Sequence, residues 1–453
     1  MISFWRIFWL EFVSLTRSKM LALLTLASVG WMLVFPHVVR GDGTEQGLRE
    51  LAIRYSLGGV FALLVVTLLS AATGAIARER AAKRLQLTLV RPVRRSAVVL
   101  GKVLAYVLAG ALVLAVACTL LFVRLGSVER CCHVLSPLLP SPQEEAREMY
   151  ESYMKDPDTP EAVRKAKKDV VLRLLARRAV DHYQTIPTND VVSWKFGGLG
   201  GLGGLEGLGG LGGLGGLEGL EGLAIRLRFT NPMEMRQDVI GEFRIGDFGA
   251  TVSNITQAVL KIPLKTSQTF QTSQTSQTFQ TFQTSQTFPT SQTLTFVNRG
   301  TSALMLRPRR DIHLLVPADA FGWNLLRAYV AMVAILAFLV SVGMLLSATL
   351  GRPVALFVAI VALIVSEMSP SVIAQYPDEL ETNLIDRIGL QMTRAAAELT
   401  RPVSSLSPLE ALAQGECVEP RSLVQTALVD MVVLPLAFAL LAGFALPRKQ
   451  DDV

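Results

Sequence analysis

Residues 77–102 read ARERAAKRLQLTLVRPVRRSAVVLGK, with eight basic residues against one acidic residue, Glu79, and lie between two long apolar runs. Positive charge beside an apolar segment resists transfer across a bilayer, so a short loop this basic marks the cytoplasmic side and orients its neighbours. Its interior is not a simple solvated turn. Leu85, Leu87, Leu89 and Val90 need lipid headgroups or a protein groove to face. A short charged helix, the Leu-x-Leu-x-Leu stretch, Arg91-Pro92 and Gly101-Lys102 together predict a docking surface for a cytoplasmic partner.

A helix needs roughly 20 apolar residues to cross the hydrocarbon layer. Working outward from the basic loop, spans are expected at about 20–39, 56–77 and 98–123, and again at about 321–350, 353–373 and 423–446. Six spans place both termini inside, and Arg448-Lys449 in the tail 447–453 agrees with that. Arg40, Arg49 and Arg54 are balanced by Asp42, Glu45 and Glu50, as fits an external loop. The first apolar run lacks a small-residue cleavage site and reads as a retained span rather than a signal peptide. Composition agrees with an integral membrane protein: 51% hydrophobic residues, 18% charged, and a mean hydropathy of +0.41. The net charge of +7 sits beside the spans, and no basic stripe with interleaved aromatics speaks for nucleic acid.

Residues 1–19 form an interfacial amphipathic helix: Phe4, Ile7, Phe8, Phe12 and Leu15 recur at helical spacing beside Trp5 and Trp9, with Arg6, Arg17 and Lys19 as the polar component. The insert 124–320 falls outside the membrane. Its part 141–185 reads as two helices, with Pro142 and Pro160 near their starts and Val163, Val170, Leu174 and Leu175 as the apolar stripe. Over 191–317 the pattern alternates with period two, as in 224–229, 240–245, 293–297 and 312–316, which predicts an antiparallel β-sandwich. A Gly-Leu tract, 197–223, and a Thr-Ser-Gln tract, 266–292, read as expanded loops, the second able to extend a hairpin. Residues 383–399 carry a further external amphipathic helix, with Leu384, Ile388, Met392, Ala395 and Leu399 on one face. The fold class is thus an α-helical polytopic membrane protein of six transmembrane helices with an inserted extracytoplasmic α+β domain.

The sequence contains no Gly-x-x-x-x-Gly-Lys-[Ser/Thr] loop, no His-Glu-x-x-His and no Gly-x-Ser-x-Gly, so no enzymatic activity, cofactor or metal is expected. Cys131, Cys132 and His133 are adjacent, a poor geometry for sharing one tetrahedral ion. Cys118 reads as a packing residue, and Cys417 is the partner available to Cys131 or Cys132 for an intrachain disulfide. Glu367 lies near the external end of the fifth expected span. Asp430 lies about two turns inside the sixth and reads as interfacial.

At the basic loop a resemblance becomes specific. An interfacial helix, two spans, Ile76-Ala77-Arg78-Glu79-Arg80, the stretch 87–95 and Val99-Leu100-Gly101-Lys102 resemble, in that order, the ABC-2 type permeases of ABC transporters. The turn from Ser347 to Val354, around Gly351-Arg352-Pro353, is similar to the family's short cytoplasmic connection. The resemblance covers the six spans; the external insert is not part of the common permease core. It implies a coupling loop at 78–97 in which Glu79, Arg80, Arg84, Leu85, Leu87, Leu89, Arg91, Pro92 and Arg94 fit a cleft on a separate cytoplasmic ABC ATPase subunit. Where the family often has Gly-Thr after Glu-Arg, this chain has Ala82, Lys83 and Arg84. It further implies a homodimer or pseudodimer in a bacterial inner membrane, driving export or mechanical transmission. The alternative is a membrane-anchored binding or sensory protein acting through its external β-sandwich.

Overall fold

A computed structural model of the chain describes residues 2–38, 45–82, 94–125, 130–157, 164, 166–180, 182, 184–196, 224–230, 238–245, 248–255, 259–263, 280–282, 292–375, 389, 391, 408–418 and 420–445. The chain divides into two compact units, residues 1–131 with 320–453, and residues 132–319. In chain order the first helices are α1 (Ile2–Arg17), α2 (Lys19–Val38), α3 (Glu45–Ala81), α4 (Arg95–Leu125), α5 (Pro142–Lys155) and α6 (Lys168–Val180). They are followed by α7 (Phe321–Thr349), α8 (Arg352–Gln375), α9 (Pro408–Ala413), α10 (Pro420–Leu428) and α11 (Leu434–Ala445).

The first unit is an apolar helical bundle. Among the described residues four helical stretches have the length and apolarity of a membrane span: Arg49–Ala81, Arg95–Leu125, Phe321–Thr349 and Leu423–Ala445. A fifth arises if α1 and α2, which meet at a 61° bend, are taken as one broken span. This is a multi-pass membrane protein. α7 sits at the centre because small residues on several of its faces, Ala328, Ala331, Ala334 and Ala337, let neighbours approach closely. Leu57, Val60 and Leu64 of α3, Leu114 of α4 and Met332 of α7 are fully buried in one cluster.

Polar side chains pin the bundle where backbone groups are left over. Asn324, at the start of α7, donates to the Glu416 carbonyl and accepts from the Val418 amide, both at 2.8 Å. Between those two residues Cys417 forms a disulfide with Cys131, so the pairing falls on Cys131, and Cys132 is buried outside it.

Asp430, read from the sequence as interfacial, is packed inside the bundle. It lies in a π-helical turn, Val429–Val433, linking α10 to α11, and it is fully buried. Among the described residues neither of its oxygens has a hydrogen-bond partner. The helical spacing had placed it by depth alone, whereas the extra residue in the π turn sets the side chain against neighbouring helices.

In the second unit α5 begins at a capping box. Ser141 Oγ accepts from the Glu144 amide while Glu144 reaches back to the Ser141 amide. α6 starts at Lys168, and its buried face is Val171, Leu175 and Ala179; Leu174, expected inside, is half exposed. The strands are β1 (Arg130–Leu135), β2 (Gln184–Ile186), β3 (Val191–Phe196), β4 (Ala224–Arg228), β5 (Asp238–Ile245) and β6 (Phe248–Ile255). After them come β7 (Val259–Pro263), β8 (Gln280–Phe282), β9 (Gln292–Asn298), β10 (Leu304–Leu306) and β11 (Ile312–Ala320). They form a four-stranded sheet, β1-β11-β4-β7, a five-stranded sheet, β3-β9-β5-β6-β8, and the pair β10-β2. The pairs with described registers are antiparallel, with Leu227 opposite Ile312 and Phe243 opposite Phe296. Alternation sends Ile225, Leu227, Ile312 and Leu314 of one sheet and Trp194, Phe243, Leu294 and Phe296 of the other into a single apolar cluster. β8 comes from the Thr-Ser-Gln tract and pairs with β6 at the sheet edge, as its threonine and phenylalanine content favours. The Gly-Leu tract, the amphipathic segment 383–399 apart from Gly389 and Gln391, and the tail 447–453 lie outside the described residues.

Candidate functional site

The sharpest concentration of buried charge lies where α1, α3 and α4 converge. α1 lies against the first turns of α4 because residue 101 is glycine: a Cβ there would stand 3.3 Å from Ile7 Cγ2 and 3.4 Å from the Phe8 amide nitrogen. One residue on, the Lys102 side chain is almost completely buried. Its Nζ donates to Glu11 Oε2 of α1 at 2.9 Å and to Glu79 Oε1 of α3 at 2.7 Å. An ammonium removed from water is tolerated only when paired and hydrogen-bonded, and two carboxylates do that here. The trio carries one excess negative charge, and both glutamates keep a partly exposed edge.

A second junction ties the end of α3 to the end of α7. Ser347 Oγ accepts from the amides of Ile76 and Ala77, both at 3.1 Å. Arg80 donates to the carbonyl of Ala348, one of the carbonyls a helix C-terminus leaves without an intrahelical partner. Arg78 Nε donates to Gly74 O at 3.0 Å.

Of the residues expected in the coupling loop, Glu79 is held by Lys102 and Arg80 by α7. Arg94 stands exposed ahead of α4, its carbonyl accepting from Ala97 and Val98. Arg84, Leu85, Leu87, Leu89, Arg91 and Pro92 lie outside the described residues. Sequence reasoning noticed Lys102 within its Gly-Lys pair but not what it binds; it passed over Glu11 and named Ser347 only as the start of a turn. The signals were present. Glu11 is the single acidic residue of α1, and Lys102 is the one charged residue between Arg95 and Arg124 in α4.

The polar, ion-paired end of this multi-pass helical bundle lies at the helix ends that flank the basic loop. Residues 7–136 match the family described as ABC-2 family transporter protein, which bears out the resemblance to ABC-2 type permeases. The matched stretch takes in most of α1, all of α2 to α4, and β1. No curated protein and no solved structure matches the chain. ABC-2 permeases are the transmembrane, not the catalytic, component of their transporters and generally partner a cytoplasmic ABC ATPase.

Proposed function

We propose that the chain is the permease subunit of a bacterial ABC transporter, coupling ATP hydrolysis on a separate ATPase subunit to export or to mechanical transmission across the inner membrane. In this reading the bundle makes six spans, with α2 and α8 as the first and fifth. Both termini are cytoplasmic, two permease subunits work together as a homodimer or pseudodimer, and the insert 124–320 is an extracytoplasmic domain built on a β-sandwich. The observation that carries the proposal is the Lys102 junction. It links α1, α3 and α4 immediately beside the loop 78–97, so force applied to that loop reaches three helices at once.

Sidedness has two supports. Arg78, Arg80, Arg94, Arg95 and Arg352 cluster at the helix ends next to the loop, as cytoplasmic charge does. The Cys131–Cys417 disulfide lies beyond the opposite end of α4, as an oxidising compartment requires. Glu79, Arg80, Arg84, Arg91 and Arg94, with Leu85, Leu87, Leu89 and Pro92, then form the surface that enters the ATPase.

Purifying the full chain from its native membrane tests this. An ATPase subunit with a Walker-type phosphate loop is expected to come with it, and R80E, R91E and R94E together are expected to abolish its recovery. Recovery of the chain without any ATPase, under conditions that preserve such complexes, contradicts the proposal.

A further inference from the structure

We propose that Arg78 and Arg352 form a binding site for the phosphate of an anionic lipid headgroup, at the end of α3 beside the turn between α7 and α8. Three observations converge on it. First, the scaffold is fixed: the Ser347 hydroxyl and Arg80 fasten the end of α7 to the end of α3, which brings the turn containing Arg352 alongside. Second, the two arginines meet over one glycine. A Cβ at Gly74 would stand 3.1 Å from Arg352 Nε and 3.3 Å from Arg78 Nε. Third, neither arginine has an ion-pair partner among the described residues, and the neighbouring acid, Glu79, is taken by Lys102.

Two exposed guanidinium groups gathered in this way repel each other and gain from an anion between them. Arg78 uses its Nε on the Gly74 carbonyl, which leaves both terminal nitrogens to donate. The planar forks of two arginines match a phosphate group, which accepts several N–H bonds at once. The phosphate source follows from position. These residues close an apolar helix at the membrane surface, where anionic headgroups are concentrated within reach of basic side chains. This placement rests on the proposed topology; the ATPase contact is a separate matter.

The test uses the full chain purified with its ATPase, equilibrated with vesicles of phosphatidylglycerol or of phosphatidylcholine, and native mass spectrometry of the lipid retained. The wild type is expected to retain phosphatidylglycerol in preference to phosphatidylcholine. R78Q/R352Q is expected to lose that preference, by about fivefold for each arginine. G74A puts a methyl group where the arginines meet, while alanine suits the helix, so it is expected to fold normally and weaken the preference. If R78Q/R352Q does not fold, G74A decides alone. Wild-type preference in a folded variant overturns the proposal. So does loss of the ATPase with lipid preference intact, which assigns the arginines to an acidic surface of the partner. Loss of lipid preference with the ATPase retained supports the site whatever becomes of the coupling proposal.

Discussion

Lys102 serves two carboxylates with one charge, which makes its removal and theirs unequal. Lys102→Ala leaves Glu11 and Glu79 facing each other in a largely buried place, a loss of about 3 kcal/mol or more. Glu11→Gln or Glu79→Gln leaves a neutral pair with its hydrogen bonds largely intact and is expected to cost clearly less. Thermal unfolding of the detergent-purified variants checks the order; equal losses for lysine and glutamates would contradict a shared junction. Asp430 presents the opposite case. A buried carboxyl without a hydrogen-bond partner among the described residues costs free energy, so Asp430→Leu is expected to raise the thermal midpoint. A lowered midpoint would mean that the carboxyl has a partner that stabilises it.

The helix α5 carries its own test through its capping box. Ser141→Ala removes one acceptor for an otherwise unpaired amide and is expected to cost about 1 kcal/mol. The hydrogen bond from the Ser141 amide, and then that from its hydroxyl, hold the Glu144 carboxyl below its ordinary range. A lowered value in the fold means the contribution is complete above the unfolded value of about 4.3 and is lost as pH falls through the folded value. Helicity near the start of α5 is therefore expected to decline only in that acidic window, as hydrogen exchange at 144–146 can follow. Why α6 keeps Leu175 of the expected stripe inside but turns Leu174 outward is clear from its sequence. Val170, Val171, Leu172, Leu174 and Leu175 offer two adjacent apolar stripes, and the side chains of α5 choose between them. Four of the expected spans were legible because sustained apolarity is a local property. The β segments were legible through alternation. The Lys102 junction was not, because Glu11 looks like the polar side of an interfacial helix until α4, 91 residues away in sequence, supplies its partner.

Across the molecule, the disulfide and the basic end mark opposite ends of α4. Cys417→Ser opens a cross-link that joins residues 286 apart, and removing a native disulfide of this kind typically costs about 2–5 kcal/mol. A matching fall in thermal midpoint on reduction of the wild type, and no further fall for the reduced variant, is the expected pattern. In the proposed topology the basic loop faces the cytoplasm, where an ATPase would meet it. The most direct test is a photo-crosslinking residue placed at Leu87 or Leu89 in the intact membrane. The coupling account predicts a crosslink to a subunit bearing a nucleotide-binding phosphate loop, lost when R80E, R91E and R94E are combined. Crosslinks to lipid alone, in membranes where that subunit is present, would contradict it.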